Sequence, residues 1–166
     1  MEIKMLISEI CGLLKKELLD NGYEYGFLWN GKKYRPDIDK DFFDLLSTVY
    51  RIQEPNDTMK EKIGTCNDIA LLMKSILDEY DIPNKMWTLH DLTKNKYHTV
   101  LTFSAENKAV YLELTPQSSK SWYGKEIIYD NEQSFLDEYR KQYEVFDVTD
   151  LIKAGKTLET LMNELA

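Results

Sequence analysis

The sequence predicts an α+β fold in which a central helix beginning at Cys66 packs on a small antiparallel sheet, with helices from both ends of the chain flanking this core. Apolar residues recur at helical spacing directly after Cys66 and again near both termini. Between residues 85 and 114, three extended stretches are separated by short polar connections, which is the pattern of an antiparallel meander. These observations are the reason for the α+β prediction.

Length and composition describe a globular chain with a negative surface. The chain has 166 residues, of which 43% are hydrophobic and 30% charged, so it is long enough to bury a core without a disulfide or a metal. We therefore expect a single domain over residues 1–166. The formal net charge of -8 repels a phosphate backbone, so nucleic acid is not an expected partner.

Two further features bear on the cellular compartment. Cys11 and Cys66 are too few for a disulfide framework, so a reducing cytoplasm is the expected setting. Charged residues interrupt residues 1–20 every few positions, unlike the apolar block of a signal peptide or a membrane span. We expect a cytoplasmic protein with no membrane partner.

The first half of the chain is predicted to contain two helices and a hairpin. An apolar stripe predicts a helix that ends near Gly22, and its members are Ile3, Leu6, Ile7, Ile10, Leu14 and Leu18. Aromatic residues on both sides of Asn30 and Gly31 predict a short hairpin over residues 23–34. A second stripe predicts a helix over residues 39–52, which a Glu-Pro-Asn-Asp sequence then breaks.

The second half is predicted to contain the central helix, the sheet and two more helices. Apolar positions predict a helix over residues 66–80, with Asp68 in its first turn, where negative charge suits the helix dipole. Strands are predicted over residues 85–90, 97–103 and 109–114. A polar loop at residues 117–121 and helices over residues 134–143 and 158–165 complete the chain.

Cys66 occupies a position that favours thiol chemistry. A cysteine acts as a nucleophile only as the thiolate, and the backbone N–H groups at a helix N-terminus favour that form. The backbone N–H of Cys66 is also one of the unpaired donors that suit a developing oxyanion, and Gly64 removes side-chain bulk from the approach. Taken alone, such a cysteine is more often a small buried side chain than a nucleophile, so the neighbours of Cys66 decide the interpretation.

A register argument brings His98 and Glu113 together. If residues 104–107 form the loop between the second and third strands, Phe103 pairs with Lys108, and His98 then falls directly opposite Glu113. Paired residues of an antiparallel ladder point to the same face. The sequence thus predicts a nucleophile, a base and an orienting carboxylate in Cys66, His98 and Glu113.

The segments around these residues resemble transglutaminase-like domains, and they lie at residues 64–68, 80–83, 97–100 and 112–116. In that family a G-x-C-x-D motif opens the central helix, one strand carries a histidine, and the next carries an acidic residue, usually an aspartate in a D-x-T context. The resemblance covers roughly residues 60–116 and implies a papain-like arrangement of Cys66, His98 and Glu113.

The sequence departs from the family pattern at two positions: Glu113 replaces the usual aspartate, and Asn67 replaces the aromatic residue that often follows the cysteine. The family includes cross-linkers, cysteine peptidases, amidases and inactive members. The resemblance therefore implies thiol-dependent acyl transfer or hydrolysis at an amide or peptide carbonyl, with a peptide, a protein or another amide as substrate. It implies no cofactor, and it leaves the acyl acceptor and the oligomeric state open.

Two alternatives remain. A member that has lost activity would bind a peptide or protein in the same cleft, and the two substitutions motivate this hypothesis. Cys66, His90, His98 and Glu113 are also residue types that bind zinc, although their spacing matches no zinc motif, and His90 is most simply an exposed turn residue. Other side chains are candidates for lining a cleft, although packing explains each more simply: Trp29, Tyr50, Gln53, Trp122 and Tyr123.

Overall fold

The computed structural model describes residues 4–116 and 121–165, and it has the mixed α+β architecture that the sequence predicts. The first half of the chain forms helices and two small strand pairs. Its elements are α1 (Ile7–Leu18), β1 (Glu24–Tyr25), β2 (Phe27–Trp29), β3 (Lys32–Tyr34), α2 (Phe42–Thr48), α3 (Pro55–Glu61) and β4 (Ile63–Gly64). β1 pairs with β4 in parallel, and β2 pairs with β3 as a hairpin.

The second half contains the central helix and the main sheet. Its elements are α4 (Cys66–Glu79), β5 (Asn84–Asp91), β6 (Lys96–Ala105), β7 (Lys108–Leu112), β8 (Glu126–Tyr129), α5 (Glu132–Tyr139), β9 (Tyr143–Asp147) and α6 (Leu158–Leu165). The five strands form an antiparallel sheet in the order β8, β7, β6, β5, β9. The N-terminus of α4 meets this sheet beside β6.

Hydrophobic residues are buried on both faces of the sheet because alternate strand residues point in opposite directions. One face packs against α4 and α1 through Met86, Leu101, Phe103, Val110 and Leu112. The other face packs against α5 through Trp87, Leu89, Val100 and Tyr111, with Phe135 at the centre. Strands β5, β6 and β7 therefore contribute to both hydrophobic clusters.

Several predicted elements are confirmed. The helix after Cys66, the N-terminal helix, the hairpin around Asn30 and Gly31, the three meander strands and the last helix all form. Residues 117–120 of the predicted polar loop lie outside the described residues. Among the described residues, no helix combines the length and apolar character needed to cross a bilayer.

Other predictions are wrong for identifiable reasons. The predicted helix over residues 39–52 is only α2, and Pro55 begins a helix instead of ending one, because proline is tolerated at the first helical position. The helix predicted over residues 134–143 ends at Tyr139, and Tyr143 begins β9. The edge strands β8 and β9 were not predicted.

The register of the β6–β7 hairpin also differs from the prediction. Ala105 pairs with Lys108, so the loop is the two residues Glu106 and Asn107, both with positive φ angles of 52° and 60°, and not the four residues 104–107. Phe103 pairs with Val110 and not with Lys108. This shift of two residues leaves the facing of every β7 side chain unchanged.

Candidate active site

Cys66 is the first residue of α4, and it lies beside the part of β6 that β7 does not cover. The pairing of β7 with β6 ends at Tyr111 and Thr102, so β7 does not reach the backbone N–H of Thr99. This N–H donates instead to Cys66 Sγ across 3.4 Å. The thiol is half-buried, and its sulfur lies beside both the Thr99 N–H and the N-terminus of α4.

A buried carboxylate fixes the turn that leads into Cys66. Asp68 accepts hydrogen bonds from the backbone N–H groups of Thr65 and Gln53, each across 2.8 Å, and the Thr65 hydroxyl contacts that of Tyr50 at 2.8 Å. Burial raises the pKa of Asp68 to about 6, against the lowering effect of these hydrogen bonds. Asp68 therefore holds the loop before α4 against the segment that follows α2.

Gly64 has a structural role that the sequence did not indicate. A Cβ atom at this position would lie 2.8 Å from the Cβ atom of Asp68. The glycine therefore makes room for the Asp68 side chain within the turn.

His98 and Glu113 are in contact, as the sequence predicts. His98 Nε2 is hydrogen-bonded to Glu113 Oε1, although continuing the observed register would place Glu113 opposite Val100. The two side chains share a face and are diagonal neighbours, which is within reach of long side chains. The contact therefore forms even though the predicted pairing is wrong.

Glu113 is 3% exposed and is held by two hydroxyl groups. Tyr111 donates to Oε1 across 3.4 Å, and Thr115 donates to Oε2 across 3.3 Å. In the sequence Glu113-Leu114-Thr115, Thr115 corresponds to the threonine of the D-x-T pattern described above. The carboxylate has a fixed position from which to orient one imidazole nitrogen.

The surroundings of His98 favour its protonated form. Burial lowers the pKa of His98, but hydrogen bonds to Cys66 and Glu113, together with the charges of both groups, raise it to about 10. Because Nε2 is engaged by Glu113, Nδ1 is the nitrogen that remains for Cys66. The Trp122 ring lies with its centroid 6.2 Å from that of the imidazole.

A cleft of about 500 Å³ opens beside Cys66. Thr99 lies on the face of β6 opposite to His98, and it lines the cleft together with Thr88 and Asn67. The opposite walls come from distant parts of the chain: Tyr25 of β1, Leu46 of α2 and Met162 of α6. His98, Glu113 and Trp122 do not line the cleft, so Cys66 lies between the cleft and the imidazole.

The structure does not bring His90 to this site. Its ring is hydrogen-bonded to Glu144 at 3.0 Å and to Asn95 at 2.8 Å, and it stacks on Tyr97 with ring centroids 4.2 Å apart. Among residues 4–116 and 121–165, no three cysteine, histidine or acidic side chains come together in a way that could hold a metal ion.

The other side chains that were considered for the cleft have separate positions. Tyr50, one of the candidates for lining a cleft, does line it. Gln53 donates to the backbone oxygen of Ile63 across 2.8 Å, and Trp29 packs on Tyr34. Tyr123 lies beside Asp20, away from Cys66.

Sequence reasoning missed several groups around Cys66. Tyr25 is brought close by the parallel pairing of β1 with β4, in which it is the partner of Gly64, and two-residue strands leave no periodic signal. Asn67 was noted only as a departure from the family pattern, yet it is 6% exposed, lines the cleft, and its Oδ1 has no hydrogen-bond partner among the described residues. The contribution of α6 depends on tertiary packing alone.

Comparisons with known proteins find distant similarities. No protein-family profile matches the chain. The chain is 27% identical over 85 residues to UPF0252 protein PH1321 from Pyrococcus horikoshii, a match that covers 51% of this chain and 24% of that protein. The match thus spans about a quarter of the length of this curated relative.

Among solved structures, the chain is similar to LapG from Legionella pneumophila, with a TM-score of 0.49 and 16% identity over 96% of this chain and 78% of that one. A calcium-bound structure of LapG gives the same TM-score and identity over 98% of this chain and 82% of that one.

Proposed function

We propose that this protein is a cysteine-dependent hydrolase or acyltransferase that acts on an amide or peptide carbonyl. The observation that carries the proposal is that Cys66 of α4, His98 of β6 and Glu113, directly after β7, meet at one place. There His98 is hydrogen-bonded to Glu113, and its pKa is raised by both Cys66 and Glu113. The raised pKa of His98 supports an imidazolium that stabilises a neighbouring thiolate. A peptide or protein is the proposed substrate.

In the proposed reaction, the Cys66 thiolate attacks the carbonyl carbon and a C–S bond forms. The tetrahedral intermediate then collapses as the C–N bond breaks, and His98 transfers its proton to the departing amine. Water or a second amine attacks the resulting thioester, giving up a proton to His98, and the C–S bond breaks to regenerate the thiol site. Glu113 keeps the imidazole oriented throughout.

The oxyanion of the intermediate needs donors on the side of Cys66 that faces the cleft. The backbone N–H of Cys66 is one of the free donors of the first helical turn. We propose the Tyr25 hydroxyl as a second donor, because Tyr25 lines the cleft with Cys66 and is the strand partner of Gly64. Burial and the charges of Cys66 and Asp68 raise the pKa of Tyr25, so its hydroxyl stays protonated and able to donate.

A binding module without activity is the alternative. A separation of His98 from Glu113 would have favoured it, and the two side chains are instead in contact. The substitutions at Asn67 and Glu113 remain its motivation. The reactivity of the thiol distinguishes the two functions.

The test is the rate of alkylation of Cys66 by iodoacetamide as a function of pH. We use a Cys11→Ser background, although burial raises the pKa of Cys11 to about 11 and should keep that thiol inert in the folded protein. The proposal expects fast alkylation that persists well below pH 8 and slows to that of an ordinary thiol in His98→Ala, with the Cys66→Ala protein unlabelled. An ordinary thiol titration near pH 8.5 in the parent protein would favour the binding module.

A further inference from the structure

The walls of the cleft beside Cys66 are mostly apolar. The aliphatic side chains among the lining residues are Leu158, Leu161 and Met162 of α6 and Leu46 of α2. A volume of about 500 Å³ lies within the range of small-ligand sites, so a bulky side chain fits without an opening of the fold. An acidic group placed there would lose its hydration, and Glu159, which also lines the cleft, would repel it.

Four hydroxyl groups on the walls are already paired with one another. The hydroxyls of Thr88 and Thr99 lie 3.1 Å apart, and those of Tyr50 and Thr65 lie 2.8 Å apart. The Asn67 side chain is buried without such a pairing: it is 94% buried, and its Oδ1 atom has no hydrogen-bond partner among the described residues. A buried amide of this kind calls for a partner, and a peptide N–H supplied by a ligand is a suitable one.

The position of His98 assigns the cleft to one side of the scissile bond. In the proposed reaction His98 gives its proton to the departing amine, so the leaving group lies on the imidazole side of Cys66. The cleft lies on the other side, along Thr99 and Asn67. The cleft therefore faces the acyl part of the substrate.

We propose that this cleft is a specificity pocket for the acyl side, and that the preferred substrate is a peptide whose scissile carbonyl belongs to a bulky apolar residue such as leucine or phenylalanine. The side chain of that residue contacts Leu46, Leu161 and Met162, and its backbone N–H donates to Asn67. This inference rests on the proposed function, because it uses His98 to orient the substrate.

The experiment uses N-acetyl aminoacyl chloromethyl ketones, which place their amino acid on the acyl side of an attacking thiol. We compare the leucine, phenylalanine, alanine and aspartate reagents by their second-order rate of inactivation, each divided by the rate of iodoacetamide on the same protein. Binding of several methylene groups in an apolar pocket predicts at least about a tenfold preference for leucine and phenylalanine over alanine, with aspartate slowest.

Variants locate the preference in the cleft. Met162→Trp should fill the pocket and remove most of the leucine and phenylalanine preference, when each rate is divided by the iodoacetamide rate of the same variant. Met59→Trp is the matched control, since Met59 is 39% exposed on α3 and does not line the cleft, and it should keep the full preference. Asn67→Ala should slow all the acetylated aminoacyl reagents by about threefold to tenfold, the range expected for one hydrogen bond.

Failure of the pocket and failure of the proposed function give different results. Equal rates for leucine and alanine, with iodoacetamide still fast and dependent on His98, would overturn the pocket and leave the proposed function intact. A preference that survives Met162→Trp would also overturn it. If iodoacetamide reacts as with an ordinary thiol, the proposed function fails and the pocket fails with it.

Discussion

Glu113 and Cys66 are the two residues that raise the pKa of His98. Its carboxylate is buried, it is fixed by Tyr111 and Thr115, and it accepts from His98 Nε2. Glu113→Gln removes the negative charge, and the remaining burial of the imidazole then disfavours the cation. We expect the pKa of His98 to fall by about one to three units from its value of about 10.

An NMR titration of the imidazole Cε1–H signals measures this shift. His90 serves as an internal control, because its raised pKa comes from Asn95 and Glu144 and not from Glu113. Glu113→Asp keeps the charge and should retain most of the shift. An unchanged His98 midpoint in Glu113→Gln would mean that the carboxylate does not control the imidazole.

Tyr25 offers a second prediction at the level of one residue. If its hydroxyl donates to the oxyanion, Tyr25→Phe should lower kcat for an amide substrate by about 10²- to 10³-fold with little change in KM. Alkylation by iodoacetamide forms no oxyanion, so its rate should stay unchanged in the same variant. Tyr34→Phe, in the β2–β3 hairpin, is the control, and an equal loss of kcat in both variants would contradict the role.

The sequence predicts the groups at this site that lie in recognisable local patterns. Cys66 begins a strongly amphipathic helix, and His98 lies on β6 while Glu113 directly follows β7, so the alternation of strand side chains places His98 and Glu113 on one face. Tyr25 lies in a two-residue strand whose parallel partner is about 40 residues further along the chain, and no local pattern identifies such a pairing. Asn67 likewise shows no local pattern, because its burial and its position on the cleft wall come from tertiary packing.

At the level of elements, the N-terminus of α4 depends on Asp68. The two backbone N–H donors from Thr65 and Gln53 bond different oxygens of its carboxylate. Its folded-state pKa of about 6 lies above the usual value of about 3.9, so the unfolded chain loses this proton first as pH rises. The free energy of unfolding contributed by Asp68 is therefore fully present below about pH 4 and decreases as pH rises towards 6.

Asp68→Asn tests this assignment. An amide offers one acceptor oxygen for two backbone donors, so we expect a loss of about 1–3 kcal/mol at pH 4. The decrease in stability between pH 4 and 6 should become shallower than in the parent protein, because the titrating group is gone. Urea unfolding at several pH values measures both effects, with Asp57→Asn in the exposed first turn of α3 as the control. A pH dependence identical to that of the parent would contradict the assignment.

The hairpin between β6 and β7 shows why elements are easier to predict than their pairing. The polar connection marked the turn, but the residues that adopt positive φ are Glu106 and Asn107, without the glycine that usually signals a two-residue turn. The predicted register is therefore wrong by two residues, which leaves every side chain on its predicted face, and the predicted contact between His98 and Glu113 is present. An error of one residue would have moved Glu113 to the other face of the sheet.

On the scale of the whole molecule, the cleft exists because the last helix returns to the first residue of the central one. Leu161 of α6 is 2% exposed and belongs to the same hydrophobic cluster as Leu14 of α1 and Leu72 of α4. The sequence predicted α6 as an amphipathic helix, but its apolar stripe fits many surfaces equally well. The choice of surface is made by shape complementarity between distant segments, which is why the cleft walls could not be predicted.

The two hydrophobic clusters should unfold together if residues 1–166 form one domain. Strands β5, β6 and β7 contribute alternate residues to both clusters, so one cannot be lost without disrupting the sheet that supports the other. Leu161→Ala on the α4 side and Phe135→Ala on the α5 side should cost about 2–5 and about 3–5 kcal/mol, since each side chain is almost fully buried. Leu92→Ala, at a position 61% exposed, is the control and should cost little.

Urea unfolding followed by far-UV circular dichroism and by tryptophan fluorescence should give one coincident transition in each protein. Separate transitions, with Phe135→Ala shifting only one of them, would mean that the α5 side is an independent folding unit.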